Sequence, residues 1–302
     1  MPDKLCAFTD VPLGEHLIAG WRRQWSDGGD ISSGLSRYLI NRLSAKKIGE
    51  LSVEVGNICF PFHIAGTHDI FRPRVSFDEG LPTSPPTWEN SFYDAGDGLI
   101  LFRGSEPWYN IDLYAQAFFE AVDLLGIKST VAVEGYNGPA PPDVERRVSC
   151  VYSHDSMREE LDQYGLQYSN YGSSERQGPT IGMALVNIAH FKYPNHKILR
   201  IGAMAPMYPF TTSKNRQVGI DTDHRAFYDI MRRLRDMLKL NIDLGELKSL
   251  GLEESNSLQA TLDQIAESNP EAKEIIERTR AEYEYSSYTE ASGTENHGLS
   301  ET

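Results

Sequence analysis

The chain has 302 residues, of which 40% are hydrophobic and 24% are charged, and its formal net charge at pH 7 is −14. These proportions are typical of a soluble globular protein with one large domain, or a domain and an appendage. We expect neither nucleic acid nor membrane as a partner, because phosphate-rich surfaces are bound by basic patches. The three cysteines, Cys6, Cys59 and Cys150, are widely spaced and odd in number, which argues against a disulfide framework.

The first twelve residues have neither the basic start nor the apolar stretch of a signal peptide. No apolar run in the sequence is long enough to cross a bilayer. We therefore expect a cytoplasmic protein.

Short apolar runs bounded by turn residues predict four buried parallel strands, at 17–20, 99–103, 130–133 and 197–203. Helical patterns lie between and after them, at 31–43, 110–125, 180–191 and 223–239. Asn110 is the expected N-cap of the second helix, and Gly126 the expected residue after its end. Strands that alternate with helices predict a mostly parallel sheet covered on both faces.

Two further segments lie between the first predicted helix and the strand at 99–103. Residues 47–60 alternate in polarity and predict a strand with one wetter face. Residues 61–97 are rich in proline and glycine, and RVSFDEG and NSFYDAGDG within them resemble hairpin arms, so a β-rich insertion is expected there.

The C-terminal part has a different character. Residues 253–285 predict a helical hairpin, in which Leu258, Leu262 and Ile265 share one face and the second helix starts after Asn269. Residues 286–302 lack apolar content and are expected to be a disordered tail. We expect the two helices to pack on a domain formed by residues 1–252, since helices this short rarely stand alone; the alternative is an acidic arm for contacting a partner.

In open α/β sheets, ligands bind beyond the carboxyl ends of the strands, so residues that follow the predicted strands are the candidate site. Arginines, glycine-rich turns, a helix start and two carboxylates would suit an anion or a sugar. The free N–H groups of the helix that follows Gly178-Pro179-Thr180 would favour a negative group. The candidate ligand-binding residues are Arg22, Arg23, Gly28, Gly29, Arg103, Gly104, Glu106, Glu134, Gly135, Asn137, Gly178 and Thr180. The alternative is that these glycines serve only the turns.

Established catalytic and cofactor motifs are absent from the sequence. Glycines 28, 29 and 34 fit neither a P-loop nor the dinucleotide fingerprint. Ser153, His154 and Asp155 have the residue types of a triad, but sequence neighbours cannot form its hydrogen-bond chain alone. His63 and His68 have no nearby cysteine or glutamate at metal-ligand spacing. We expect no catalytic residue, no metal and no cofactor.

Four blocks in order resemble the proteasome assembly chaperone superfamily, in its uncharacterised bacterial and archaeal branch. Residues 17–51 resemble its opening strand, glycine-containing loop, helix and second strand, and residues 99–142 its central block, in which a strand ends in Gly-x-Glu-Pro. Residues 178–208 resemble its Gly-Pro-Thr helix and last strand, and KLNIDLGEL its closing segment. The resemblance covers about residues 12–253.

This resemblance implies a phosphorylase-like three-layer α/β/α sandwich with a mostly parallel twisted sheet. It also implies a chaperone-like, protein-binding function, with a protein partner and a homo-oligomer. Some relatives dock on the proteasome through a C-terminal hydrophobic-Tyr-any motif; this sequence ends Leu-Ser-Glu-Thr, and we expect no docking by that route. The alternative function is an enzyme or sensor that binds a phosphorylated or nucleoside-like ligand at the carboxyl rim of the sheet.

Overall fold

The computed structural model describes residues 4–22, 27–60, 75–83, 89–172, 178–211, 215–285 and 287–289. In these ranges the strands are β1 Cys6–Phe8, β2 His16–Arg22, β3 Lys46–Leu51, β4 Phe77–Asp78, β5 Leu81–Pro82, β6 Asn90–Asp94, β7 Leu99–Ser105, β8 Ser129–Gly138, β9 Val148–Tyr152, β10 Gln167–Tyr168, β11 Lys197–Thr211 and β12 Gln217–Gly219. The helices are α1 Ile31–Arg42, α2 Val53–Cys59, α3 Ile111–Leu124, α4 Arg158–Leu161, α5 Ile181–Lys192, α6 His224–Met237, α7 Gly245–Ser268 and α8 Pro270–Glu282.

A large sheet forms the centre of the molecule, with strand order β1-β3-β6-β7-β2-β8-β11-β9-β10 and with β12 paired to β11. The four central strands, β7, β2, β8 and β11, run parallel, and they contain the four predicted strands. Antiparallel pairs join β1, β3 and β6 on one side and β9 on the other. Helices cover the sheet, and the predicted α/β class with a mostly parallel central sheet is confirmed.

Each face of the sheet carries its own apolar core. Along β2, Leu17, Ala19 and Trp21 belong to the core beneath α3 and α5, whereas Ile18 belongs to the core beneath α1 and α6. This division follows from the strand geometry, because successive side chains point to opposite faces. Every residue at a strand end therefore belongs to one face or the other.

The prediction of a strand through residues 47–60 is wrong beyond Leu51. The strand β3 ends there, and α2 follows immediately. The side chain of Ser52 caps this helix by accepting a hydrogen bond from the backbone N–H of Val55, at 3.3 Å. A serine before a short apolar segment is a helix start signal, and here it prevails over the alternating pattern.

The predicted hairpin arms are present where the structure describes them. Residues 77–82 form a small hairpin of β4 and β5, and β6 pairs antiparallel with β7. Residues 61–74 and 84–88 of the predicted insertion lie outside the described residues. Asn110 stands at the N-cap position of α3 without a side-chain capping bond, and Gly126 follows the helix with a φ of 68°.

Two helices end the described chain, and the first begins at Gly245 rather than at 253, so the predicted domain boundary falls inside α7. Leu258 and Leu262 are buried beside Ile265 in a third apolar cluster, with residues of β11 and β12. Tyr288 is also buried, and its carbonyl oxygen accepts a hydrogen bond from Nη1 of Arg232 at 2.8 Å. That part of the predicted tail packs on the domain; residues 286 and 290–302 lie outside the described residues.

Within the described ranges, no helix has both the length and the apolar character that crossing a membrane would require.

Candidate functional site

The glycine-rich loop before α1 is packed tightly against the sheet. A Cβ at Gly28 would lie 2.5 Å from the carbonyl carbon of Tyr136, and a Cβ at Gly135 would lie 2.2 Å from the carbonyl oxygen of Gly28. Gly29 has a φ of 62°, and its Cβ would lie 2.6 Å from that of Ala205. These glycines allow the loop backbone to approach β8 and β11, which is the role that the turn interpretation assigned to them.

The N-terminus of α1 already holds a carboxylate of this chain. Oδ1 of Asp27 accepts hydrogen bonds from the backbone N–H groups of Ser32 and Ser33, at 2.7 and 3.3 Å. Its Oδ2 accepts from the hydroxyl of Ser33 at 2.7 Å. Because Asp27 accepts hydrogen bonds from these N–H groups, they are not available to a bound anion at the start of α1.

Burial raises the pKa of Asp27 from its ordinary 3.8 to about 6, against the opposing effect of its hydrogen bonds. Between these two pH values the unfolded chain has released the proton and the folded chain has kept it. The free energy of unfolding should therefore fall as pH rises from about 4 to about 6, with a contribution from this group of about 3 kcal/mol. Urea denaturation at pH 4, 5, 6 and 7 measures this fall.

The Asp27→Asn variant should lose this contribution and show a flatter profile over the same window. The Asp97→Asn variant changes an exposed carboxylate in a turn and should follow the wild-type profile. If the free energy of unfolding falls equally with pH in Asp27→Asn and in the wild type, Asp27 is not the group responsible for the fall.

Arg22 and Arg103 lie together on the α1 face of the sheet, where both contact Glu89. Nη1 of Arg22 lies 2.7 Å from Oε2 of Glu89, and Arg103 pairs with the other carboxylate oxygen. The carboxylate neutralises part of the positive charge that an anion would need. Nε of Arg103 is buried and has no hydrogen-bond partner among the described residues.

Glu134 lies on the opposite face from these two arginines, so the three do not form one pocket. Leu99 and Leu101 precede Arg103 in the core beneath α1, whereas Glu134 follows Ala132 in the core beneath α5. Adjacent positions in a strand face opposite ways, and the register of β8 with β2 puts Glu134 on the α5 side. The expectation of a common site is wrong for this reason.

The Glu134 carboxylate is buried and bound within the chain. Its Oε2 accepts hydrogen bonds from Nε of Arg200, at 2.6 Å, and from the hydroxyl of Thr180, at 2.7 Å. Its Oε1 accepts from the backbone N–H of Gly182 at 2.9 Å, in the first turn of α5. Glu134 therefore serves as the counter-charge of Arg200 and as a cap of α5, and both of its carboxylate oxygens are bound within the chain.

The other predicted residues are spread around the rim. A Cβ at Gly104 would lie 2.6 Å from the ring of Phe102, so this glycine makes room for an aromatic core. Glu106 donates its backbone N–H to the carbonyl of Arg22 at 3.1 Å. Asn137 lies beside Gly28, and Gly178 accepts a hydrogen bond from the Tyr171 hydroxyl at 2.8 Å. Arg23 lies outside the described residues.

Arg200, which pairs with Glu134, was not among the predicted residues. It is 3% exposed near the start of β11, and its Nη1 donates to the Ser149 hydroxyl at 3.1 Å. A single charge inside an otherwise apolar strand was the available signal, because buried charges need a partner.

An apolar groove of 850 Å³ runs along α5 on the same face. Its walls come from α5 itself, from the end of β9 and from the segment that leads into α3. Its apolar lining includes Pro107, Ile111, Met183 and Ile188.

The Ser153-His154-Asp155 segment does not form an accessible nucleophile. Ser153 is buried, and its hydroxyl lies 2.6 Å from Nδ1 of His154 and accepts from the backbone N–H of Ile198 at 3.0 Å. No cluster of three potential metal ligands occurs among the residues that the structure describes, which do not include His63 and His68.

The PAC2 family model matches residues 23–265 of the sequence. Solved structures with this fold include a proteasome-assembly chaperone homologue from Mycobacterium tuberculosis, with 17% identity and a TM-score of 0.64 over 82% of this chain and 94% of that one. A PAC2 family protein from Streptomyces avermitilis has 21% identity and a TM-score of 0.65, over 87% and 99%. A proteasome activator from Pyrococcus furiosus has 17% identity and a TM-score of 0.56, over 85% and 99%. No curated protein matches the sequence.

Proposed function

Because the chain belongs to the PAC2 family, we propose that it is a chaperone-like, protein-binding member of it that acts as a homo-oligomer. The proteasome-related descriptions of several relatives support a protein partner. The observation that carries the proposal is the apolar surface around α5.

This surface consists of the groove and the exposed apolar residues beside it. Helix α5 has the sequence IGMALVNIAHFK, and its buried side is apolar. Its outer side combines the apolar residues Met183, Ile188 and Phe191 with the polar residues Asn187, His190 and Lys192. Phe191 is 74% exposed, and Trp108 and Tyr109 are about half exposed in the segment that borders the groove. An exposed apolar patch of this kind, rimmed by polar residues, marks an interface.

A second copy of this chain is the occupant that the charge distribution favours. The protein has a net charge of −14, yet α5 contains no aspartate or glutamate. Two copies can therefore meet through α5 without placing carboxylates of that helix opposite one another. An interface that matches the same patch on both copies gives a closed dimer with twofold symmetry.

The Phe191→Glu variant should convert the oligomer to a monomer, because it replaces the most exposed apolar side chain of α5 by a charge. Light scattering coupled to size-exclusion chromatography measures the mass. The wild type is expected at twice the monomer mass, and the variant at the monomer mass with unchanged circular dichroism.

Leu252→Glu is the matched control, since Leu252 is an exposed leucine on α7, away from the groove. It should keep the wild-type mass. A monomeric wild type, or a Phe191→Glu protein that stays oligomeric, would refute self-association through α5.

The alternative, an enzyme or sensor for a phosphorylated or nucleoside-like ligand, has less support. Its proposed anion ligands, Arg22 and Arg103, contact Glu89, and the helix start beside them holds Asp27. Glu134 faces away from both.

A further inference from the structure

The chain returns to the domain after α8, and its described residues 283–285 and 287–289 are called the C-terminal latch below. The hydroxyl of Tyr283 accepts a hydrogen bond from the backbone N–H of Arg147 at 2.6 Å. Nε of the same arginine donates to the carbonyl oxygen of Glu284 at 2.7 Å. The start of the latch is thus bound to the loop between β8 and β9.

Tyr288 anchors the other end of the latch against α6, where four groups contact it. Its carbonyl oxygen accepts a hydrogen bond from Nη1 of Arg232 at 2.8 Å, and its hydroxyl donates to the carboxylate of Asp236. Its ring centroid lies 5.1 Å from Cζ of Arg233 and 6.1 Å from the ring centroid of Tyr164. A guanidinium favours the face of an aromatic ring, and a nearly buried carboxylate needs a donor, so these groups together suit a tyrosine.

Outside this anchor the latch has few buried contacts. Among its described residues Tyr288 is the buried one, at 7% exposed, whereas Tyr285 is 41% exposed. Helix α8, which is described throughout, has a single buried residue, Ala272, and its Arg280 pairs with Asp143 at the surface. Segments with few buried contacts open at a lower free energy than the core does. The latch can therefore leave its place while the domain stays folded.

Opening the latch removes partners from groups on α6. Nη1 of Arg232 loses a carbonyl acceptor, and Oδ2 of Asp236 loses a hydroxyl donor. The space beside Tyr164 and above the guanidinium of Arg233 loses the ring that fills it. A tyrosine in another extended segment would restore all of these contacts, since its own carbonyl and hydroxyl supply the acceptor and the donor.

A different protein is a better occupant of this site than a second copy of the chain. A second copy must withdraw its own latch to offer it, so an exchange between copies gains no contact that the single chain lacks. The chain's own latch follows α8 directly and has a high effective concentration at the site. A partner displaces it by adding contacts of its own around the same tyrosine.

We propose that this surface of α6 is a docking site for a tyrosine in an extended segment of a partner protein, and that the latch closes the site in the free chain. A phosphorylated tyrosine is excluded, because its charge would face the carboxylate of Asp236. This goes beyond the proposed self-association, which uses α5 on the other face of the sheet, and does not depend on it.

The probe is a peptide of residues 283–289 with an N-terminal fluorophore, whose fluorescence anisotropy measures binding to the full chain. The Tyr288→Ala protein should bind it at least tenfold more tightly than the wild type, because its own latch no longer competes. Tyr285→Ala is the matched control, since it removes an exposed tyrosine of the same segment, and it should bind as weakly as the wild type. Tyr288→Phe keeps the ring but loses the hydroxyl, and its affinity should lie between those of the wild type and Tyr288→Ala. This second variant keeps the test valid if Tyr288→Ala fails to fold.

A peptide carrying Tyr288→Phe, and one in which Tyr288 is phosphorylated, should bind the Tyr288→Ala protein at least tenfold more weakly than the unmodified peptide. No binding of the unmodified peptide, equal binding by the wild type and Tyr288→Ala, or equal binding of the three peptides overturns the proposal. A Phe191→Glu dimer that Tyr288→Ala converts to a monomer would assign the site to exchange between copies and would also overturn it. Adding Phe191→Glu to Tyr288→Ala should leave peptide binding unchanged, so failure of one proposal does not imply failure of the other.

Discussion

The Arg146→Met variant is expected to lose about 3–5 kcal/mol of its free energy of unfolding, because the substitution leaves a buried carboxylate without its partner. The side chains of Arg146 and Asp223 are both fully buried. Nε of Arg146 lies 2.7 Å from Oδ2 of Asp223, and its Nη1 donates to backbone carbonyl oxygens of the loop after β8.

Asp223 connects three parts of the fold, which is why the loss should be large. Its Oδ1 accepts from the backbone N–H of Ala226 at 3.0 Å and so caps α6. Its own backbone N–H donates to the carbonyl of Gly29 at 2.9 Å, in the loop before α1. Without Arg146, a charge remains at the junction of these elements.

Urea denaturation measures the loss of unfolding free energy in Arg146→Met and in Arg216→Met, which serves as the exposed control. Arg216 pairs with Asp221 at 2.8 Å, but both side chains are exposed to solvent, and such pairs contribute only about 0–1 kcal/mol. A loss below about 1 kcal/mol in Arg146→Met would show that the buried pair does not stabilise this junction.

The Trp21→Ala variant is expected to lose a similar amount, about 3–5 kcal/mol, because it opens a cavity in the core beneath α3. Trp21 is fully buried, and its ring lies 5.8 Å from that of Phe102 and 6.2 Å from that of Phe118. Its Nε1 donates to the Tyr114 hydroxyl at 2.9 Å, which in turn donates to Oδ1 of Asn90 at 2.9 Å. The substitution removes both the packing and one donor of this chain.

Trp108→Ala is the control for Trp21→Ala, since it deletes the same side chain from a half-exposed position. Its free energy of unfolding should change by less than about 1 kcal/mol. Equal losses in the two variants, measured by urea denaturation, would contradict the central place of Trp21 in the core.

The strands and helices could be predicted from the sequence where their pattern of apolar residues is strong. The four central strands are short apolar runs and the four main helices have helical periodicity, and neither depends on distant residues. The strand expected through residues 47–60 fails because Ser52 starts a helix after Leu51. The edge strands β1, β10 and β12 are two or three residues long and have too few positions to show a pattern.

The candidate site could be predicted only in part, because a strand end reveals which residues reach the rim but not which of them meet. The sequence placed Arg22, Arg103 and Glu134 beyond the strands. It could not show that Glu89 lies against both arginines, or that Arg200 lies against Glu134, since those pairs join distant segments.

Composition, periodicity and turn residues by themselves determined the α/β class and the order of the central strands and main helices, because these depend on local preference and burial. The family resemblance came from four blocks of the sequence. The tertiary structure alone decided which face of the sheet each rim residue occupies and which charges neutralise one another. The physical reason is that side chains alternate between faces at every residue, so their partners depend on the register between strands far apart in the sequence.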